Sequence, residues 1–261
     1  TMNADNLLTV ANTTDAVTLR AENSKLSGAV KASGNNVSMT LDANSQWLLT
    51  ADSSVGNLTS SGRITLGDEN GSNGTLNVGN FTLLANSQTD VYLDANATSA
   101  PIVAQNATLD GTLNITGYGS ASTLSADSAV TVIDAENAIN GNFTNLTVAG
   151  MASGSVDFIT FSGTIDPADV TNYVLTPSLT WYASQNPAAT AAHGTFTLNN
   201  PDGSFTLSTA LVDQNAEATT GWDGKSLTKE GQGTLILNAV NSYSGTTDVN
   251  QGTLWLDEAG G

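Results

Sequence analysis

No cysteine occurs among the 261 residues, which excludes disulfides, thiolate metal ligands and thiol nucleophiles and suits a chain that crosses an oxidising compartment unlinked. Six lysines and arginines stand against 24 aspartates and glutamates, a formal net charge of −18. A phosphate polymer would meet repulsion and few side chains able to release its counterions, so nucleic acid is not expected as a partner. No stretch reaches the ~20 apolar residues of a membrane helix. The opening Thr1-Met2-Asn3-Ala4-Asp5 lacks the basic and apolar regions of a signal peptide. The chain is therefore expected to be soluble, an excised or mature piece. Charged residues make up only 11%, against about 25% in an ordinary domain, so the polar surface has to be built from Ser, Thr, Asn and Gly.

What is present is a period of two. Apolar residues alternate in short runs such as Val37-Ser38-Met39-Thr40-Leu41, Arg63-Ile64-Thr65-Leu66 and Leu113-Asn114-Ile115, the pattern of half-buried strands. Turn formers separate them, as in Ser33-Gly34-Asn35-Asn36, Asp42-Ala43-Asn44-Ser45 and Asn199-Asn200-Pro201-Asp202-Gly203. Helical periodicity is absent apart from Asp166-Pro167-Ala168-Asp169, which opens at most one short turn. The phrase Gly-Thr-Leu recurs at 74–76, 111–113, 233–235 and 252–254, a unit that buries its apolar face only by stacking on a neighbour. These features predict an all-β chain folded as a right-handed parallel β-helix with three strands per coil. Roughly 13 coils at ~4.8 Å spacing would give a rod on the order of 60 Å long. Leu49, Leu66, Val78, Leu83, Leu93, Leu113, Leu235 and Leu254 are expected to point inward.

Aromatics and prolines concentrate between Asp166 and Pro201, which predicts an interruption of the coil near 166–205. The stretch 186–193 reads as an excursion between strands at 179–182 and 194–198, in the form of a β-hairpin. The expected organisation is a regular rod over 1–160, an irregular segment over 161–226 and terminal coils over 227–261.

The segment Leu227-Thr228-Lys229-Glu230-Gly231-Gln232-Gly233-Thr234-Leu235-Ile236-Leu237, followed by Asn241-Ser242-Tyr243-Ser244-Gly245-Thr246-Thr247-Asp248-Val249-Asn250-Gln251-Gly252-Thr253-Leu254, resembles the passenger-associated repeat of Gram-negative type V autotransporters. Trp47-Leu48-Leu49-Thr50-Ala51-Asp52-Ser53, Gly74-Thr75-Leu76-Asn77-Val78, and Trp181-Tyr182-Ala183 with His193-Gly194-Thr195-Phe196 look like parts of AIDA-type adhesin passengers. The resemblance implies a secreted β-helical passenger at the bacterial surface, exported through the outer membrane. It also implies carboxy-terminal coils that fold first, and membrane attachment only through a barrel that does not follow Gly261. The residues expected to carry the folding seed are Gly231, Gly233, Thr234, Leu235, Leu237, Tyr243, Gly245, Val249, Gly252, Thr253 and Leu254. Val249, Leu254 and Leu256 would join Leu235 and Leu237 in a dense inward set, with glycines fixing the bends.

Catalytic readings find little support. His193, the single histidine, lies in an Ala-rich stretch without a Gly-x-Ser-x-Gly elbow and reads as an exposed loop imidazole. The carboxylates Asp42, Asp52, Asp68, Glu69, Asp90, Asp94 and Asp110 are scattered, and almost no Arg or Lys is available for lyase chemistry. The loop Gly67–Gly74 offers alternate oxygen side chains but lacks the EF-hand glycine and glutamate, so it reads as a solvated turn. Asn-x-Thr triplets begin at Asn57, Asn80, Asn96, Asn106, Asn114, Asn142 and Asn145 and read as turn-and-strand vocabulary before they read as glycan acceptors. No enzyme activity, metal or cofactor is expected.

Arg20, Lys25, Lys31 and Arg63 are four of the six basic residues, all in the first quarter of the chain. If they share a face they form a positive spot able to meet a sulfated glycan. The expected function is a non-catalytic adhesin passenger that binds a host-surface glycan or extracellular-matrix protein and contributes to biofilm. Self-association between rods is the alternative, and a role as stalk and folding seed alone the weaker one. The −18 charge disfavours rod-on-rod contact and puts ligand binding first.

Overall fold

The computed structural model describes residues 1–12, 14–68, 70–120, 129–185 and 191–257. Strand accounts for 54% of the structure and helix for 3%, as the period of two predicts. Ser53–Ser60, Leu76–Leu83 and Ile102–Leu109 each run for eight residues and bend midway. They stack in parallel, Ser53 on Leu76 on Ile102 and Asn57 on Asn80 on Asn106. Each such strand therefore contributes to two sheets, and a third sheet completes the coil.

The first sheet stacks 25–27, Gln46–Leu48, Arg63–Thr65, Gln88–Asp94, Thr112–Gly119 and Asn145–Val148. The second stacks 53–55, 76–78, 102–104 and 133–135. On the third, Val17–Ala21 and Val37–Leu41 continue into 57–60, 80–83 and 106–109. This is a parallel β-helix of three strands per coil. Coil length varies: Lys25, Gln46, Arg63, Gln88 and Thr112 stack at intervals of 21, 17, 25 and 24 residues and Asn57, Asn80 and Asn106 at 23 and 26, in place of the uniform ~20 assumed from the repeat.

Alternate side chains fill the bore. Leu49, Leu66, Val78, Leu83, Leu93, Leu113 and Leu235 are all buried as expected, and each leucine removed from water contributes about 1.5–3 kcal/mol. Trp47 is fully buried and its indole N–H donates to the Gly28 carbonyl at 2.9 Å, which meets the one polar demand of that side chain.

The interruption lies where aromatics and prolines concentrate, but its form differs from expectation. The hairpin is made by Ile159–Ile165 and Asn172–Leu179, paired antiparallel along their length. Its second strand adds antiparallel to Val130–Ala135, ending the parallel stacking of the second sheet. Asp166 and Asp169 close the turn by accepting the Ala168 and Thr171 N–H groups at 2.8 and 3.2 Å, the side-chain turn chemistry that overrides a helix start. Residues 179–182 do not form the expected separate strand: Asn172–Leu179 ends there and Thr180–Gln185 is 3₁₀ helix. That conformation lets buried Trp181 donate to the Val212 carbonyl at 2.8 Å and Tyr182 reach the Ala210 carbonyl. Thr195–Thr197 pairs in parallel with Leu227–Glu230 instead of forming a hairpin. Residues 186–190 of the expected excursion lie outside the described residues. The rod resumes when Ser204–Leu207 stacks on Gly117 and Tyr118, followed by Thr234–Leu237 and Thr253–Leu256.

Candidate functional site: a polar trough on the first sheet

Outward-facing positions of the first sheet form two columns. Lys25, Gln46, Arg63, Gln88, Thr112 and Asn145 stack in one; Ser27, Leu48, Thr65, Asp90, Asn114 and Thr147 stack in the other. Six rungs at ~4.8 Å span about 24 Å. Two adjoining hollows follow these columns. One, of about 290 Å³, is lined by Lys25, Ser27, Gln46, Leu48, Arg63 and Asp68. The next, of about 400 Å³, is lined by Arg63, Gln88, Asn114 and Thr116 and walled by 149–150, Asn200 and 202–204. Arg63, Thr65 and Asp68 border both, so the hollows read as one trough.

A buried charge organises its middle. Asp90 is fully buried although its strand position faces outward. Its carboxylate accepts from the Arg63 Nε, the Thr65 hydroxyl at 2.8 Å, the Gln88 amide at 2.7 Å and the Asn114 amide at 3.0 Å. Asn114 in turn accepts from the Thr147 hydroxyl at 2.7 Å and the Gly150 N–H at 2.9 Å. A carboxylate taken out of water is tolerated only with such full satisfaction. Arg63 keeps 45% of its side chain exposed and borders both hollows.

The four basic residues do not gather on one face. Lys25 and Arg63 share the first-sheet column, two rungs apart. Lys31 pairs with Ser54 on the second sheet. Arg20 lies on the third sheet above Thr40 and is paired with Glu22 at 2.6 Å. The bend in Lys25–Ala32 separates Lys25 from Lys31, and sequence proximity carries no information about that corner. Asp90, which anchors Arg63, was read only as one of the scattered carboxylates.

At the carboxy-terminal end, Leu235 and Leu237 are buried, but Val249 and Leu256 are 49% and 50% exposed and Leu254 is half-buried. They follow the inward register, Val249 on Lys229, Leu254 on Leu235 and Leu256 on Leu237. Their exposure arises because no described strand stacks on their far side. Gly231 and Gly252 hold φ of +74° and +67° and stack closely, a Cβ on Gly252 falling 2.3 Å from the Gly231 carbonyl oxygen. Only glycine accommodates both demands. Gly233 and Gly245 lack that φ, but a Cβ on either would meet backbone at 2.6 and 2.5 Å. Tyr243 packs on Trp181 with ring centroids 5.3 Å apart. Thr234 pairs with Thr253 in the same strand pair as Leu235 with Leu254.

The residue that sequence reading missed here is Lys229. It is fully buried in the bore and its ammonium donates to the carbonyls of Glu230 at 2.6 Å, Gly231 at 2.8 Å and Gln251 at 3.3 Å. It thereby ties two successive turns together. Burial lowers its pKa from the ordinary lysine value, while Glu230 and Asp157 oppose that shift. The signal was its odd-numbered place in Leu227-Thr228-Lys229, in phase with the inward leucine.

Residues 227–256 match the family model of the passenger-associated-transport-repeat. The terminal coils are an autotransporter passenger repeat. The match supports an autotransporter passenger domain and implies an exported protein, at the cell surface or outside the cell. No curated protein and no solved structure gives a significant match to the chain.

Elsewhere on the chain, Asn57, Asn80 and Asn106 form a ladder on the third sheet. Asn80 donates to Asn57 at 2.7 Å, Asn106 to Asn80 at 2.9 Å and Asn137 to Asn106 at 3.1 Å. Thr40, Thr59, Thr82 and Thr108 stack beside it. Asn114 is buried in the trough network, whereas Asn142 and Asn145 are exposed. His193 is half-buried rather than exposed. It lines a hollow of about 720 Å³ with Asp157, whose carboxylate is occupied by the Thr197 N–H and hydroxyl at 2.8 and 2.6 Å. No hydrogen bond joins His193 to a serine or carboxylate among the described residues. In the 67–74 loop, Gly67–Asp68 and Gly71–Ser72 pair as a two-residue antiparallel hairpin. Asp68 accepts the Asn70 N–H at 2.8 Å, and Glu69 lies outside the described residues.

Proposed function

We propose that the chain is the non-catalytic passenger part of a cell-surface adhesin and that it holds a glycan or an extracellular-matrix protein in the trough of the first sheet. The observation that carries this reading is the trough itself: five stacked rungs of outward, mostly polar side chains, from Lys25 to Asn114, lining two adjoining hollows. An extended ligand laid along a rod meets the same backbone spacing at every coil, so affinity builds by repetition of modest contacts. The passenger repeat favours a non-enzymatic fragment.

Rod-on-rod association, with aggregation and biofilm as its consequence, is a second reading favoured by the third sheet. There the Thr40–Thr108 column presents stacked hydroxyls beside the asparagine ladder. The ladder already uses one donor and one acceptor of its central amides, which leaves less for a partner. A panel of immobilised glycans and matrix proteins, probed with the purified chain alongside sedimentation, separates the two. Ligand binding by a monomer supports the trough; dimers that bind no ligand support the third sheet.

A further inference from the structure

We infer that the larger hollow of the trough is a subsite for an uncharged sugar, recognised through its hydroxyl groups, and not for the sulfated or carboxylated glycan that surface arginines and lysines ordinarily suggest. The inference rests on the ligand-binding reading above and names the ligand class of the same site.

The argument is one of charge. Among the described residues Arg63 is the one cationic side chain lining this hollow, and its charge is matched by fully buried Asp90, to which its Nε is bonded. Asp68 and Asp202 also line the hollow with no opposing cation, so the local balance is negative and an incoming sulfate or carboxylate is repelled. The nearest other cation along the column, Lys25, borders only the neighbouring hollow, two rungs away.

What remains is hydrogen bonding of both senses. The half-exposed guanidinium and the Gln88 amide supply donors, the two carboxylates supply only acceptors, and Ser204 supplies a hydroxyl. Vicinal hydroxyls of a pyranose donate and accept at once, and bonds to ionised partners are the stronger ones. The volume of about 400 Å³ lies within the range of small-molecule sites. The Asp90 network fixes the Arg63 side chain before a ligand arrives, which lowers the ordering cost of binding.

The test is calorimetric titration of the purified chain with neutral tetrasaccharides (unsubstituted glucose, mannose and galactose oligomers) and with a heparin-derived tetrasaccharide. It is run on the wild type, on the double variant Asp68→Ala/Asp202→Ala and on Lys31→Gln, with circular dichroism confirming the fold. A neutral tetrasaccharide should bind with affinity that changes less than about twofold between roughly 0.05 and 0.5 M salt. The double variant should lose about tenfold or more, as expected for lost bonds to charged acceptors; Lys31→Gln should bind like the wild type. Arg63→Lys, which keeps the charge beside Asp90 but removes the guanidinium fork, should also weaken binding. Preference for the heparin fragment with steep salt dependence overturns the inference. So does neutral binding that the double variant leaves unchanged. Failure of every tetrasaccharide while a matrix protein still binds overturns this inference alone; failure of every glycan and matrix protein overturns the proposed function as well.

Discussion

Asp90 gives up its hydration entirely and recovers it from four protein donors. Asp90→Ala leaves the Thr65, Gln88 and Asn114 donors without their acceptor. Arg63 is half-exposed and regains water, so the cost falls on those neutral donors. About 3 kcal/mol is expected, read as a lower urea midpoint at unchanged m; a loss under ~1 kcal/mol would show that water replaces the carboxylate freely. Lys229 is the opposite case, a buried cation held by carbonyls alone. Lys229→Met keeps the length and removes the ammonium that donates to the Glu230, Gly231 and Gln251 carbonyls, with an expected cost of about 2 kcal/mol. Faster amide exchange confined to 227–251 is its signature, because these contacts join two turns rather than the whole rod. The inward place of Lys229 was legible from Leu227, but the partners of neither residue were. Asp90 meets Arg63 from the next coil, and Lys229 meets Gln251 from another.

Among the elements, the carboxy-terminal coils are where order of folding is testable. Leu235 and Val37 are both fully buried, so a carboxylate at either carries the same kind of penalty, several kcal/mol. If the passenger repeat nucleates the stack, Leu235→Asp slows refolding far more than Val37→Asp does. Equal slowing of refolding by the two would remove the nucleating role. Strand identity was readable in Val37-Ser38-Met39-Thr40-Leu41 and Arg63-Ile64-Thr65-Leu66, since a period of two declares both strand and inward face. Coil length was not, because it depends on turns such as 33–36 and 67–74 whose sizes differ from one coil to the next. Without coil length the register is unknown, and without register Lys25, Arg63 and Asp90 cannot be placed on one sheet and Arg20 on another. The hairpin Ile159–Ile165 with Asn172–Leu179 was missed for a related reason. Its turn is set by Asp166 and Asp169 side chains, while the aromatic pair at 181–182 that drew attention donates to the carbonyls of half-buried Val212 and Ala210.

For the molecule as a whole, acid is the expected weakness. Hydrogen bonds hold several surface carboxylates below the ordinary aspartate value of 3.8: Ser45 on Asp42, Thr144 on Asp110, and the Ser244 backbone and hydroxyl on Asp213. A carboxylate whose folded pKa is depressed contributes stability that is present above the unfolded value and is lost as pH falls through the folded one. The unfolding temperature should therefore stay level from neutrality to about pH 5 and fall below about pH 4. Ser45→Ala/Thr144→Ala/Ser244→Ala should flatten that fall; an unchanged acid limb in the triple variant would assign it to other groups. The proposed binding depends on the stacking register, which alone brings Lys25, Gln46, Arg63 and Gln88 into one trough. The absence of cysteine makes the register directly measurable with pairs of spin labels on introduced cysteines, read as distances by pulsed electron resonance. Along the column, Lys25 to Thr112 spans four rungs and Lys25 to Asn145 spans five, so backbone separations of about 19 and 24 Å are predicted after correction for the label arms. Distances that fail to increase from the first pair to the second, or that exceed these by tens of ångströms, would contradict the parallel stack and with it the trough.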